Sequence, residues 1–186
     1  MGYDFNFGKS REGSAQLFKE QCEARSIEFE VLPPVKHEGV TVSSTMIRRL
    51  LFEGDFKAAE KLLGRRWAIE GEVTPGMRKG HELGFPTINL PSQVCLPVKL
   101  GVYVCEVHLE GAVYPAVCNI GFKPTFEGQH LVTEAHLFGF SKDCYGAQAQ
   151  IYPIQFLRDE RKFNSLNELS LQIQRDATEA KQFFRL

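Results

Sequence analysis

Between Trp67 and Leu157 the chain is written mostly in short runs with a two-residue hydrophobic period, and that pattern leaves few folds open. Residues 67–73, 101–109, 112–120, 131–138 and 147–157 read as strands, with Glu110-Gly111 as a tight hairpin turn. Val102, Val104 and Glu106 alternate with Tyr103, Cys105 and Val107, so one face of that strand is mixed in character. So many strands ahead of a single helix point to a mainly β fold, a closed antiparallel barrel that leaves few exposed edges. Ser165 and Glu168 then fit a capping box. Leu166, Leu169, Ile173, Ala177 and Ala180 trace a C-terminal helical stripe, expected to pack on the barrel rather than to bind a ligand.

The first third of the chain is written differently. Ser14 to Arg25 has a helical pattern, Ile27 to Leu32 alternates as a strand, and Asp55 to Leu63 forms a helix that Gly64 ends. Val42-Ser43-Ser44-Thr45-Met46-Ile47-Arg48 places hydroxyls at the opening of a helix that continues through Leu50. Such a start can meet phosphate at the positive end of the helix dipole, or it is a plain Ser cap. Gly2 to Ser10 imitates a phosphate-binding Walker loop but is one residue too long and lacks the preceding strand.

Composition narrows the partners. From residue 65 onward there are 13 Lys+Arg against 13 Asp+Glu, which argues against a nucleic-acid-binding barrel that must neutralise phosphates. The five cysteines show no C-x-x-C spacing, so neither a disulfide framework nor a zinc site is indicated. No signal peptide or apolar run of membrane length occurs, and the expectation is a cytoplasmic enzyme with small-molecule substrates.

Three segments carry chemistry. In Leu83-Gly84-Phe85-Pro86-Thr87-Ile88-Asn89, an extended backbone turns Thr87 and Asn89 to one face and Ile88 to the other. A hydroxyl and a carboxamide oxygen side by side suit Mg²⁺ shared with nucleotide phosphates, and the same spacing also suits a Pro-Thr turn with Asn89 capping backbone. Upstream, the glycines from Gly71 to Gly80 frame Arg78, Lys79 and His81, either as a phosphate-contacting loop or as an ordinary solvated hairpin. Downstream, Thr133-Glu134-Ala135-His136-Leu137-Phe138 sets Glu134, His136 and Phe138 on one strand face. Glu134 there is a candidate general base for a hydroxyl, or a strand glutamate facing water.

These segments, together with Gly101-Val102-Tyr103, Asn119 to Phe126, Tyr145-Gly146 and Arg158 to Phe163, occur in one order over roughly two thirds of the chain. In that order they resemble the riboflavin kinase module of the bifunctional riboflavin kinase/FMN adenylyltransferase family. The resemblance implies a six-stranded antiparallel Greek-key barrel with a C-terminal helix. It implies Thr87 and Asn89 as magnesium ligands and Glu134 as catalytic base. Nucleotide contacts would come from Gly76, Arg78, Lys79, His81, Leu137 and Tyr145, and flavin contacts from Arg158 and Phe163. The chain departs from the family pattern at Ile88, commonly Ala, and at His81, commonly Arg or Lys. Gly2 to Gly8 and Val42 to Arg48 resemble late motifs of the family's adenylyltransferase domain, a partial α/β nucleotidyltransferase remnant. The family's earlier His-x-Gly-His motif does not occur at any of His37, His81, His108, His130 or His136. Residues 1–64 are therefore expected to be the truncated C-terminal part of that domain and 65–186 the kinase domain. The activity implied is transfer of the ATP γ-phosphate to the riboflavin 5′-hydroxyl, giving FMN, with FAD formation expected only of a full-length parent. A noncatalytic flavin- or nucleotide-binding barrel is the alternative, and a structural remnant prone to aggregate is a third reading.

Overall fold

The computed structural model describes residues 1–76, 84–92, 95–125 and 128–186. By its contacts the chain divides into two units, Met1–Ser44 and Thr45–Leu186.

In the first unit, helix α1 (Ala15–Glu23) starts where the Ser14 hydroxyl accepts the Leu17 N–H at 3.2 Å. Two short antiparallel ladders pair Asn6–Phe7 with Gly13–Ser14 and Lys36–His37 with Val40–Thr41. Residues 27–32 differ from expectation. They form no strand, and their ladder pairing is a single parallel bridge between Gly2 and Leu32. Alternation signals a strand only where a neighbouring backbone supplies hydrogen bonds, and here Met1 and Tyr3 bond just to Glu30 and Leu32. Phe5, Phe7, Phe18 and Phe29 instead make successive ring contacts at 5.4–6.0 Å. The Gly-Lys-Ser at 8–10 lies in a short 3-10 segment with positive φ at Ser10, so no helix N-terminus forms on it.

From Thr45 the second unit comprises α2 (Ser44–Glu53, its first residue counted with the first unit) and α3 (Phe56–Leu63), followed by six strands. These are β1 (Ile69–Glu72), β2 (Ile88–Ser92), β3 (Gly101–Leu109), β4 (Ala112–Thr125), β5 (Gly128–Leu137) and β6 (Gln148–Asp159). They form one antiparallel sheet in the order β1-β6-β3-β4-β5-β2. A bridge between Thr74, just past β1, and Asn89 in β2 brings the two ends of that sheet together, giving the nearly closed barrel expected. Glu110 and Gly111 both have positive φ, as a two-residue hairpin turn between β3 and β4 requires.

Strand alternation sends Tyr103, Cys105, Val107, Cys118, Ile120 and Ile151 into one core. Leu51 and Ala59 belong to that core too, which is why α2 and α3 group with the barrel. Tyr103 is enclosed there, its hydroxyl donating to the Lys99 carbonyl at 2.7 Å. Burial pushes its phenol well above the usual range. The opposite sheet face carries Val102, Val104 and Val117, covered by Ala177 and Ala180 of α4 (Leu166–Phe184). The Ser165 hydroxyl caps α4 by accepting the Glu168 N–H at 3.2 Å, and Glu168 in turn accepts the Asn164 N–H at 3.0 Å.

Candidate active site

The alternation that buries Ile88 in the core turns Thr87 and Asn89 the other way, into a cleft of about 710 Å³. Strand register then decides what stands beside them. Asn89 pairs with Glu134, Glu134 with Asn119, Asn119 with Val102, and Val102 with Arg158. Directly paired residues share a sheet face with Cβ atoms about 4.5–5.5 Å apart. One row across five strands thus holds a carboxamide, a carboxylate, a second carboxamide, a valine and a guanidinium, and all five residues line the cleft.

Each member of the row is held. A Cβ on Gly76 would come closest to Nδ2 of Asn89 and within 2.6 Å of its Cγ and Oδ1, so the backbone after β1 lies directly on that carboxamide. Glu134 Oε2 accepts from Lys123 Nζ at 2.7 Å. Asn119 Nδ2 donates to Glu160 Oε1 at 3.1 Å, and Glu160 occupies the space that a side chain at Gly121 would fill. Arg158 donates to both carboxylate oxygens of Asp176 in α4, from Nε at 3.0 and 3.1 Å and from a terminal nitrogen at 2.7 Å. Arg158 reaches this row through two irregularities in β6, at 153–155 and 156–158. With regular pairing beyond Phe156, Leu157 would stand opposite Val102 instead.

His136, two residues beyond Glu134, works on the loop before β2. Its Nδ1 lies 2.8 Å from the Pro86 carbonyl, which can only accept, so Nδ1 carries the proton. Burial lowers its pKa, the Pro86 bond opposes that shift, and the Lys181 charge adds to it, so the ring is neutral at pH 7. Its ring also meets Phe85 at 5.4 Å and Phe138 at 5.5 Å edge-on. These contacts fasten 85–87 and with it Thr87.

Of the residues singled out in the sequence, Gly76, Thr87, Asn89, Glu134, Leu137, Tyr145, Arg158 and Phe163 line this one cleft. Arg78, Lys79 and His81 lie outside the described residues. Leu137 is buried in the barrel core as well as touching the cleft, whereas Tyr145 stands half-exposed at the edge. Phe163 has the Arg161 guanidinium over its ring at 4.9 Å and that of Arg158 at 5.9 Å. The α4 stripe divides in two: Ala177 and Ala180 pack on the barrel, but Leu169 and Ile173 line the cleft, and Leu166 is exposed. Lys123, Glu160 and Asp176 escaped the sequence reading. Asn119, Gly121 and Lys123 do share strand parity, and that was the available signal for Lys123.

The donor set fits Mg²⁺ of the kind shared with a nucleotide. Among the described residues no three His, Cys, Asp or Glu side chains converge as a metal cluster, so an all-protein cage is not built here. Two neutral oxygens from Thr87 and Asn89, with the Asn89 carboxamide set against Gly76 and beside one carboxylate, suit an ion that takes its other ligands from phosphates and water.

A nearly closed six-stranded barrel with this oxygen-lined cleft and a capping helix defines the class of protein. A family model described as flavokinase, riboflavin kinase, matches residues 63–184, and one described as FAD synthetase matches residues 1–46. The chain belongs to the riboflavin kinase family. It is 38% identical over 188 residues to the bifunctional riboflavin kinase/FMN adenylyltransferase of Escherichia coli (strain K12), covering 100% of this chain and 60% of that protein. Identity to the protein of the same name from Bacillus subtilis (strain 168) is 35% over 188 residues, covering 98% of this chain and 59% of the relative. The chain thus spans about three fifths of the length of these curated relatives. A solved structure described as a macrolide-efflux protein from Streptococcus pneumoniae superposes with a TM-score of 0.68 at 33% identity, over 94% of this chain and 57% of that one. No helix among the described residues is long and apolar enough to cross a membrane.

Proposed function

We propose that this protein transfers the γ-phosphate of ATP to the 5′-hydroxyl of riboflavin, producing FMN and ADP in the cytoplasm. The observation that carries the reading is the pairing of Asn89 with Glu134 across β2 and β5, because it sets a carboxylate one strand spacing from Asn89, with Thr87 two residues along and lining the same cleft. A binding module has no use for that juxtaposition.

In this reading Glu134 accepts the proton of the riboflavin hydroxyl as its oxygen forms a bond to the γ-phosphorus. The bond from that phosphorus to the β,γ-bridging oxygen breaks, and its electron pair leaves with ADP. Thr87 and Asn89 would hold Mg²⁺, which when bound would supply neutralisation of phosphate charge. Phosphoryl transfer asks mainly for positioning and charge compensation, so one base and a donor-rich wall suffice. Gly76, Leu137 and Tyr145 flank the nucleotide, as would Arg78, Lys79 and His81. Riboflavin takes the α4 side, where Phe163, Leu169 and Ile173 supply apolar wall. Arg158, committed to Asp176, shapes that side by fastening α4 to β6. Within the same reading residues 1–64 are the adenylyltransferase-like part and 65–186 the kinase part, with α2 and α3 as the link that packs on the barrel.

The test is direct. Purified protein incubated with riboflavin and MgATP is expected to form FMN, resolved from riboflavin by chromatography. Flavin binding with no enzyme-dependent FMN would leave the noncatalytic barrel as the better reading.

A further inference from the structure

We infer that Lys123 is a positioning residue for phosphoryl transfer, holding the Glu134 carboxylate by Oε2 so that Oε1 is presented to the attacking hydroxyl. The inference rests on the phosphotransfer reading above and deepens it.

The geometry is specific. Lys123 stands in register with His130 and Glu134 in register with Asn119, so the two residues are separated by four positions along β4 and β5, roughly 13 Å of strand. Their side chains must run toward one another along the sheet to meet at 2.7 Å. The row between them is Gly121 and Val132, and the Glu160 carboxylate takes the space that a side chain at Gly121 would fill. An ion pair reached only by two extended side chains has few alternative geometries. It therefore defines a direction for the carboxylate as well as a charge.

A purely structural role explains the pair poorly. The backbone ladder between β4 and β5 already runs through ten register pairs. Both side chains are about one quarter exposed, at 28% and 24%, in the wall of the cleft. The surroundings also call for a cation at this spot. Glu160 brings a second carboxylate against Gly121, next to Asn119 and hence one strand from Glu134. The Arg158 charge is already matched by Asp176. Without Lys123 the glutamate's three side-chain torsions are freed, and a base displaced by an ångström loses much of its effect.

The experiment compares initial rates of FMN formation for wild type, Lys123→Met and Lys123→Arg, varying riboflavin and MgATP separately. Lys123→Met is also made in the Glu134→Gln background. Lys123→Met is expected to lower kcat about 10–100-fold, with both KM values within about threefold of wild type. Lys123→Arg should recover most of that loss. With Glu134→Gln already present, Lys123→Met should change kcat by less than about twofold, because no base remains to be oriented. Circular dichroism melts confirm that each variant is folded. Unchanged kcat in Lys123→Met overturns the inference, as does an equal loss in both backgrounds. A higher MgATP KM at constant kcat overturns it too, in favour of a direct phosphate contact. A different pattern marks failure of the underlying reading: a Glu134→Gln variant of full activity removes the base, and Lys123's role with it.

Discussion

Removing the Asp176 carboxylate offers the sharpest check on how the cleft is held together. Asp176 is buried on α4, its side chain 8% exposed, and accepts three hydrogen bonds from Arg158 and one from Gln172 at 2.6 Å. Asp176→Ala strands the Arg158 guanidinium in a site where its side chain is 22% exposed. Breaking a buried pair from one side costs about 3–5 kcal/mol, and the residual solvent access of Arg158 puts the expectation at the lower end, about 3 kcal/mol. For a domain of this size that corresponds to a melting temperature lower by roughly 6–12 °C. The sole tryptophan, Trp67, stacks on Phe56 with ring centroids 6.5 Å apart inside the barrel unit, so its fluorescence during urea unfolding reports that unit. The slope with urea should stay constant while the midpoint falls. Replacing both partners, Arg158→Met with Asp176→Leu, should recover much of the loss, since an apolar pair of similar volume carries no desolvation cost. The single variant should also raise the riboflavin KM more than the MgATP KM, because α4 walls the proposed flavin side. A loss below about 1 kcal/mol, the range of exposed ion pairs, would refute the claim that this pair clamps α4 to β6.

Glu134→Gln keeps size and polarity but cannot take a proton at pH 7, and kcat should fall about 10²–10⁴-fold with KM values nearly constant. His136→Ala is its control: it should cost stability through the Pro86 bond and ring contacts, and a larger turnover loss there than in Glu134→Gln would make histidine the better base. Thr87→Ala and Asn89→Ala should each raise the Mg²⁺ and ATP requirement in a magnesium titration and leave the melting curve close to wild type. Wild-type metal dependence in both would return 86–89 to a simple turn. These 186 residues should convert riboflavin to FMN but not FMN to FAD, since His-x-Gly-His does not occur in them. Enzyme-dependent FAD on incubation with FMN and MgATP would show that reading to be mistaken.

Local order was legible in the sequence wherever one neighbour along the chain decided it. The alternation through 101–109, the Glu110-Gly111 turn and the Ser165 cap all depend on residues within a few positions of one another, and each appears as read. So did the opposed directions of Ile88 and Asn89, a consequence of strand pleat alone. Residues 27–32 mark the limit of that logic, because alternation carries no information on whether a partner backbone is present. Tertiary structure decided the rest through register. Glu134 stands beside Asn89 only because β5 pairs with β2 at one offset, and a slip of one residue would turn Glu134 to the core face. Arg158 meets Asp176 only because β6 shifts register after Phe156, and no periodic pattern announces such a shift. Lys123 finds Glu134 across two strands, and Gly76 finds Asn89 across the seam of the barrel. The residue types needed for the proposed chemistry are therefore written in the chain, whereas their distances come from hydrogen-bond ladders between segments far apart in it.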